Sequence, residues 1–438
     1  MINQLNKMQR LIFILATLLL PICYASATTN DSIKHWGYAV DFNPSKIIVM
    51  DKYQRGFQKD KNNFSVRMEA IRQWLPSDSS AVAADYNYPS LSVSAKYSFN
   101  HGVTMHRTPN KLWRRRQEAD YDTQMGNSIA LFGTFTRPII HQRKWEIDYS
   151  LSCGMAYSKS IYNPYTAIDN ELIGSHLMIY FGLGTHVTYH ATDEWGIRLG
   201  AEYWHISNGA LDRPNKGANF IGPSLGVVYT PYHKELIKQK EQIKQQRKEG
   251  NSADNKEKFQ PYIFMNVAAA LGGKSLQEDW NVTYYVSYPT DNLYYRTKFP
   301  VYLTVASQID LMFRYQRRWA SGIGFDVFYG DYVYTVKKHD GPNSKSKYSP
   351  WSTGIALKHE VYFGQLLCQI GIGYYFHREM GHYAKGVEKP YYERVGVSYA
   401  FKQLGGLRLG FNVKAHFTKA DYTELLLTMP IKLIQFKR

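Results

Sequence analysis

Apolar residues alternate with small or polar ones along most of the chain. Successive side chains of a β-strand point to opposite faces, so this alternation predicts strands with one apolar face. In residues 195–207, Arg198 and Glu202 fall on one face. The opposite face is an apolar row that ends in two polar residues: Trp195, Ile197, Leu199, Ala201, Tyr203, His205 and Ser207. A potential base and a potential nucleophile therefore lie on the apolar side of a strand.

The same alternation recurs in both halves of the chain, in runs near the roughly 9 to 11 residues that cross a bilayer as a tilted strand. Only every second residue of such a strand meets lipid, so a mean hydropathy of -0.42 together with 36 Tyr and 32 Gly fits a transmembrane β-barrel. The predicted strands lie near 36–44, 63–73, 88–99, 126–136, 144–157, 174–190, 195–207, 218–230, 259–270, 300–315, 319–334, 351–364, 366–377, 390–401, 405–417 and 421–435.

These segments predict an all-β fold, an antiparallel outer-membrane barrel with about 16 strands in total. Either one fused barrel or two eight-stranded barrels satisfies the pattern, with barrel regions at 28–232 and 259–438. We favour the fused barrel because covalently tandem barrels are uncommon. The charged segment between the two regions favours the alternative.

That segment, residues 233–258, is dominated by Lys, Glu and Gln. Its composition predicts a solvated linker or a short surface helix, on the periplasmic side. Acidic residues are interleaved with the lysines and no aromatic residue is present, so we do not interpret the segment as a nucleic-acid-binding arm.

The lengths of the connections predict the orientation of the strands, because outer-membrane barrels have short periplasmic turns and long external loops. Short connections occur near 141–142, 192–193, 317–318, 364–365 and 403–404, and long ones at 100–124, 158–172, 272–299, 335–349 and 378–389. With the short turns placed inside, the end of strand 195–207 that carries His205 and Ser207 lies at the outer leaflet.

The N-terminus predicts export. Lys7 and Arg10 precede an apolar run over 11–20, and a small-residue cleavage site follows, so residues 1–27 are expected to be a signal peptide removed near Ala27. The net charge of +17 indicates an anionic partner. For an exported chain, acidic lipid head groups are more accessible than nucleic acid.

Two cysteines remain after removal of the signal peptide, Cys153 and Cys368. Both fall among apolar neighbours in alternating runs, so we expect free, buried thiols and no disulfide framework.

A basic cluster lies in the first long external connection: Arg107, Arg114, Arg115 and Arg116, next to Trp113. It is either an ordinary solvated loop or a contact for lipopolysaccharide phosphates, which Arg binds bidentately. The pattern does not decide between these interpretations.

The strand that returns after residue 207 places Asn219 on its apolar face, so His205, Ser207 and Asn219 are expected to converge on the lipid side of one hairpin. An isolated His-x-Ser sequence is common, and the alternative is that the three are polar residues at the interfacial rim.

Residues 205–229 resemble the signature of the lipid A 3-O-deacylase family (PagL-like outer-membrane acyl hydrolases), His-x-Ser-Asn followed by a Pro/Asn/Gly connection. The resemblance implies that Ser207 is the nucleophile, that His205 is the general base, and that Asn208 with the backbone near Gly209 forms the oxyanion hole. It implies an outer-membrane esterase that hydrolyses an acyl ester of lipid A or lipopolysaccharide in the outer leaflet, without a cofactor or a metal.

The chain departs from the family at one position, because the best-known members place a Glu where this chain has Asn219. An Asn accepts a hydrogen bond from the His N–H but does not offset the imidazolium charge. Asp212, in the connection, is a candidate substitute. The rival function is a non-enzymatic barrel, a porin or scaffold derived from such hydrolases.

The second half contains weak echoes of the first. Gly406–Gly410 echoes Gly196–Gly200, and His416-Phe417-Thr418 echoes His205-Ile206-Ser207, which suggests a degenerate second copy. Strand parity nevertheless places His416 on the lumen face. The remaining histidines, including His176, His186, His190 and His359, show no metal-ligand spacing with cysteines or acids.

Overall fold

A computed structural model describes residues 35–50, 52–107, 119–249, 259–283, 296–386, 390–417 and 419–436. The predicted signal peptide and Arg114, Arg115 and Arg116 lie outside these residues. Within the described ranges, no helix is both long enough and apolar enough to cross a membrane.

The first half of the chain forms one closed antiparallel barrel of eight strands, and two short strands continue the pairing beyond the beginning of its second strand. These two short strands, β4 and β5, were not predicted. The strands are β1 (Trp36–Ile47), β2 (Gln58–Gln73), β3 (Ser90–Phe99), β4 (Val103–Met105), β5 (Thr123–Gln124), β6 (Ser128–His141), β7 (Trp145–Ser158), β8 (Leu177–His190), β9 (Trp195–Ser207) and β10 (Ala218–Tyr229).

The second half forms another closed antiparallel barrel of eight strands. Its strands are β11 (Tyr262–Lys274), β12 (Tyr302–Arg314), β13 (Trp319–Gly330), β14 (Tyr348–Phe363), β15 (Leu366–Met380), β16 (Tyr391–Phe401), β17 (Leu407–His416) and β18 (Lys419–Gln435). All sixteen predicted barrel strands are present, with bounds that differ by a few residues.

The helices are short, except for the one between the barrels. They are α1 (Lys52–Arg55), α2 (Ala81–Asp85), α3 (His233–Lys248), α4 (Gln277–Asn281), α5 (Val333–Asp340) and α6 (Gly381–Gly386), with 3₁₀ turns at Pro76–Asp78 and Lys402–Leu404. Helix α3 occupies most of the predicted linker, so the surface-helix alternative is the one observed. Residues 250–258 lie outside the part of the chain that the structure describes.

Barrel closure corrects our preference for a single fused barrel. In the first barrel β1 pairs with both β10 and β2, and in the second β11 pairs with both β18 and β12. In each half, the first and last strands therefore hydrogen-bond to each other. Left unpaired, they would remain open to pairing with another chain. The two-barrel alternative is confirmed.

Strand alternation sorts the side chains as predicted. On β9, Ile197 and Leu199 are exposed on the outside of the barrel, whereas Arg198 and Glu202 are buried in the lumen. The same outward apolar band surrounds the second barrel, for example at Leu303. An apolar exterior with a polar interior is the arrangement of a barrel that spans a membrane.

Buried ion pairs fill both lumens. In the first barrel Arg67 and Arg198 both bind Asp41, at 2.9 Å for Arg67. In the second, Lys358 Nζ lies 2.8 Å from Asp326, and Arg394 pairs with Glu424. Two small cavities, one in each lumen, measure about 20 and about 10 Å³, room for roughly one water molecule each.

Both cysteines are free, but neither is fully buried as expected: Cys153 is exposed on the outside of β7, and Cys368 is half-buried. The apolar row to which Cys153 belongs faces outward, because in a membrane barrel the apolar surface is the exterior and not a core.

The two barrels contact each other at the end that carries the short turns. The Tyr86 hydroxyl donates to the Tyr362 carbonyl at 2.7 Å, and the Trp74 ring packs edge-on against Phe363 with centroids 5.1 Å apart. A second contact lies at the opposite end, around the connection between β9 and β10.

Candidate active site

Strand pairing brings the three predicted catalytic residues into one row. His205 on β9 is directly opposite Asn219 on β10, and Ser207 follows two residues later on the same face of β9. Ile179 of β8 is the neighbour of Ser207 on the other side. The row lies on the outside of the barrel, at the end away from the short turns.

The three side chains are joined by hydrogen bonds. His205 Nε2 lies 2.9 Å from Ser207 Oγ, and His205 Nδ1 lies 2.8 Å from Asn219 Oδ1. This is the geometry in which the imidazole accepts the proton of the serine hydroxyl and is oriented by a third group.

Tyr203 determines which atom of the Asn219 amide faces His205 and, through it, which nitrogen of His205 carries the proton. Its hydroxyl donates to Asn219 Oδ1 at 2.7 Å, so the amide oxygen, and not the amide nitrogen, faces His205. An oxygen at that position requires the proton on Nδ1 and leaves the lone pair on Nε2. His205 is therefore in the tautomer that accepts from Ser207.

Gly217 packs directly on the row. It has a φ of +70°, and a Cβ there would lie 2.7 Å from His205 Cε1 and 3.2 Å from Ser207 Cβ. Only glycine fits this position without displacing the histidine ring. The contact leaves Ser207 8% exposed, so the direction from which an ester approaches Oγ is restricted.

The connection after Ser207, residues 208–217, folds back on itself. The Asn208 N–H donates to Asn215 Oδ1 at 3.1 Å, and the Asn208 side-chain amide donates to the Asp212 carbonyl at 3.2 Å. Gly209 and Ala210 follow with φ of 61° and 67°. Among the described residues the Gly209 N–H has no hydrogen-bond acceptor, so it is a donor available beside the nucleophile.

The second barrel holds this connection in place. Thr423 Oγ1 of β18 donates to the Gly209 carbonyl at 2.8 Å. The Ser275 N–H and hydroxyl donate to the Ala210 carbonyl at 2.7 and 2.9 Å. Arg213 Nη2 donates in turn to the Ser275 carbonyl at 2.7 Å. All four interactions join segments more than sixty residues apart in the chain.

Asp212 does not take the place of the family's acid. Its Oδ1 accepts the Arg213 N–H at 2.8 Å, while Asn219 occupies the position at His205 Nδ1. Burial raises the pKa of the Asp212 carboxyl to about 6, well above its ordinary value.

Arg107, which the sequence left either in a solvated loop or in contact with lipid head groups, is buried. Its guanidinium pairs with Glu171, and its backbone N–H donates to Asp169 Oδ2 at 2.9 Å. A buried Arg is stable only when it is paired, and the neighbouring loop supplies these carboxylates. The head-group role of Arg114, Arg115 and Arg116 stays a prediction, since they lie outside the described residues.

Sequence reasoning missed several residues around the row. Tyr203 shares strand parity with His205 and precedes it by two residues, so its contact with the site was accessible from the pattern. Thr423 and Ser275 gave no such signal, because their role depends on how the barrels pack. His416 is in the lumen as predicted, where its Nε2 lies 3.2 Å from Asp421.

Comparison with known proteins gives two family matches. Residues 79–228 match the family model described as lipid A 3-O-deacylase (PagL), and residues 264–432 match the one described as acyloxyacyl hydrolase, C-terminal domain. A search of curated protein sequences finds no match.

Several solved structures are similar at low identity. The crystal structure of the outer membrane enzyme PagL has 12% identity and a TM-score of 0.26, and the alignment covers 44% of this chain and 98% of that chain. Neisserial surface protein A has the same identity and TM-score, with 44% and 96% covered. The COG4313 outer membrane channel from Pseudomonas putida F1 has 7% identity and a TM-score of 0.20, with 91% and 96% covered.

The outward apolar band and the two family matches define the class of the molecule, a bacterial outer-membrane β-barrel protein. Together the two matches span most of the chain. The first barrel is similar to the lipid A 3-O-deacylase (PagL) family, as the His-x-Ser-Asn signature indicated, and the second barrel is similar to the C-terminal domain of the acyloxyacyl hydrolases.

Proposed function

We propose that this protein is an esterase that removes an acyl chain from lipid A in the outer leaflet of the outer membrane. The observation that carries the proposal is the hydrogen-bonded row of Ser207, His205 and Asn219 on the outside of the first barrel. A soluble hydrolase has its site in a cleft open to water, whereas this row faces the lipid phase, where the acyl ester lies.

In the proposed reaction Ser207 Oγ attacks the ester carbonyl carbon while its proton moves to His205 Nε2. A serine hydroxyl is a weak nucleophile until a base accepts this proton. The resulting imidazolium then donates its proton to the sugar oxygen as the C–O bond breaks, which releases the deacylated lipid and leaves an acyl-serine. Water, activated by the same histidine, hydrolyses the acyl-serine and regenerates Ser207.

The negative charge on the tetrahedral intermediate requires donors placed beside the nucleophile. The Gly209 N–H is the main candidate, because it has no acceptor among the described residues. Asn208 supplies the second donor, through the side-chain amide N–H that is not directed to the Asp212 carbonyl. Both belong to the connection that the second barrel supports.

Asn219 replaces an acid in this scheme, which lowers but does not abolish the expected rate. In a serine protease the Asp to Asn change costs about 10⁴ in rate, largely because the histidine adopts the wrong tautomer. Here the Tyr203 hydroxyl orients the Asn219 oxygen toward His205, so the tautomer is retained. The remaining cost is the loss of a negative charge beside the imidazolium.

The alternative function, a porin or non-enzymatic scaffold, is less favoured. A pore needs a continuous aqueous lumen, and ion pairs fill the described interior of both barrels, for example at Asp41 and Asp326.

Mass spectrometry of lipid A from cells that express the protein tests the proposal. We expect loss of one acyl chain with the wild type and an unmodified profile with Ser207→Ala. Ser224→Ala is the matched control, because Ser224 is a buried lumen serine on the same hairpin whose hydroxyl has no hydrogen-bond partner within the described part of the chain. Identical lipid profiles for the wild type, Ser207→Ala and cells without the protein would exclude the deacylase function.

A further inference from the structure

A cluster of three histidines and one glutamate lies at the end of the first barrel opposite the candidate active site. His141 ends β6, Glu146 is the second residue of β7, His190 ends β8 and His233 begins α3. The turns between these strands and the helix that follows the barrel thus bring four titratable side chains to one mouth of the lumen. The cluster is independent of the proposed deacylase chemistry.

The distances match those between the ligands of a single ion. His141 Nε2 lies 3.3 Å from Glu146 Oε2. One ligand atom each of His141, Glu146 and His233 falls within 4.8 Å of the others. Donor atoms about 2.0 to 2.1 Å from a tetrahedral Zn²⁺ are about 3.3 Å apart, close to the observed separation of His141 and Glu146.

Three buried nitrogen atoms of the cluster lack a hydrogen bond. The side chains of His141 and His190 are 2% and 1% exposed. Within the described residues, His141 Nδ1 and both ring nitrogens of His190 have no hydrogen-bond partner. An unsatisfied buried polar atom is costly, so the cluster is not accounted for by hydrogen bonds among its own side chains.

His190 packs against one of the ligands. The His190 and His233 rings stack face to face with centroids 3.5 Å apart and an angle of 11° between their planes. The lone pairs of an imidazole lie in the plane of its ring, so two parallel rings do not direct them at one ion. His190 therefore positions the His233 ring and is not itself a ligand.

A second contact orients His233. Its Nε2 lies 2.9 Å from the Arg143 carbonyl, an acceptor, so Nε2 carries the proton and Nδ1 has the free lone pair. A ring N–H held by a backbone carbonyl is the usual support of a metal-binding histidine. The nearby cation Lys240 is engaged elsewhere, since its Nζ donates to Asn87 Oδ1 at 2.8 Å.

We propose that His141, Glu146 and His233 bind one divalent transition-metal ion, with Zn²⁺ the best match to two imidazoles and one carboxylate, a ligand set that leaves a fourth position for water. The ion joins α3 to the ends of two barrel strands, β6 and β7. It therefore fixes the helix across the mouth of the lumen and holds the segment from which the second barrel continues.

Binding is measured on the untagged, full-length protein folded in detergent and dialysed against a chelator. After addition of Zn²⁺ and gel filtration, we expect one Zn²⁺ per chain by elemental analysis. Co²⁺ should give the visible absorption of a tetrahedral site, and Mg²⁺ should not compete, because it prefers oxygen ligands.

His141→Gln, His233→Gln and Glu146→Gln should each weaken Zn²⁺ binding at least about tenfold. His101→Gln is the control, since His101 is an exposed histidine that contacts Gln124 outside the cluster. Folding of each variant is verified from the mobility difference between heated and unheated samples. If a histidine variant does not fold, Zn²⁺ binding by Glu146→Gln tests the site, because this substitution keeps the shape of the side chain.

A second measurement reports on the helix itself. Trypsin cleavage within α3, which is rich in lysine, should be slowed by Zn²⁺ in the wild type and in His101→Gln but not in Glu146→Gln. The metal site is excluded if the wild type retains no Zn²⁺ above the background of buffer alone, or if the cluster variants retain as much Zn²⁺ as His101→Gln does.

Discussion

The Thr423 hydroxyl, in the second barrel, donates a hydrogen bond to the carbonyl of Gly209, in the first. Gly209 follows the nucleophile of the candidate site by two residues and supplies the proposed oxyanion donor. A hydrogen bond to its carbonyl fixes the peptide plane on one side of the residue. The second barrel therefore contributes to the candidate site without supplying a catalytic residue.

Thr423→Val tests this contribution, because valine keeps the shape of the side chain and removes the hydroxyl. A single hydrogen bond is worth about 0.5 to 1.5 kcal/mol, so we expect kcat/KM for lipid A in detergent micelles to fall about 2- to 10-fold. Thr428→Val is the matched control on the same strand, since the Thr428 hydroxyl is buried without a partner among the described residues. Equal rates for both variants would contradict the role of Thr423.

Tyr203→Phe should lower kcat about tenfold, because the Asn219 amide loses the donor that keeps its oxygen toward His205. The two oxygens of a carboxylate are equivalent, so the loss should be smaller when Tyr203→Phe is combined with Asn219→Asp. The four kcat values of this double-mutant cycle measure the coupling. Additive effects would show that Tyr203 does not act through residue 219.

Gly217→Ala should destabilise the protein and reduce its activity. The positive φ costs an alanine about 1 kcal/mol, and the added Cβ meets the His205 ring at 2.7 Å. Gly341→Ala is the control, because Gly341 has a similar φ of +77° but no atom within 4 Å of the added Cβ. Thermal unfolding should show a loss of stability in both variants, whereas only Gly217→Ala should lose lipid A deacylation.

Asp212 should make stability depend on pH. Its pKa is raised from 3.8 to about 6, so the folded state holds a proton that the unfolded chain has already lost. Stability from this group is present below about pH 4 and is lost as the pH rises through 6. Asp212→Asn should therefore raise Tm at pH 7, where the free energy of unfolding increases by about 1 kcal/mol or less. At pH 4 the substitution should leave Tm nearly unchanged. An equal change in Tm at both pH values would contradict this.

The candidate row was predictable because its geometry is local. Strand parity alone puts His205 and Ser207 on one face, and a hairpin connection brings Asn219 opposite His205. The strand positions were predictable for the same reason, since each membrane strand carries its own alternation. Arg107 shows the limit of such reasoning, because its burial depends on Asp169 and Glu171, which lie in a different loop.

The sequence by itself determined which segments are strands, which face of each meets lipid, and which residues form the candidate row, because these depend on neighbours a few residues apart. The tertiary structure decided that each half closes on itself, that Thr423 and Ser275 support the connection after Ser207, and that His141 and His233 meet Glu146. These contacts join residues distant in the chain. Their distances are set by barrel closure and by packing between the barrels, which no local pattern encodes.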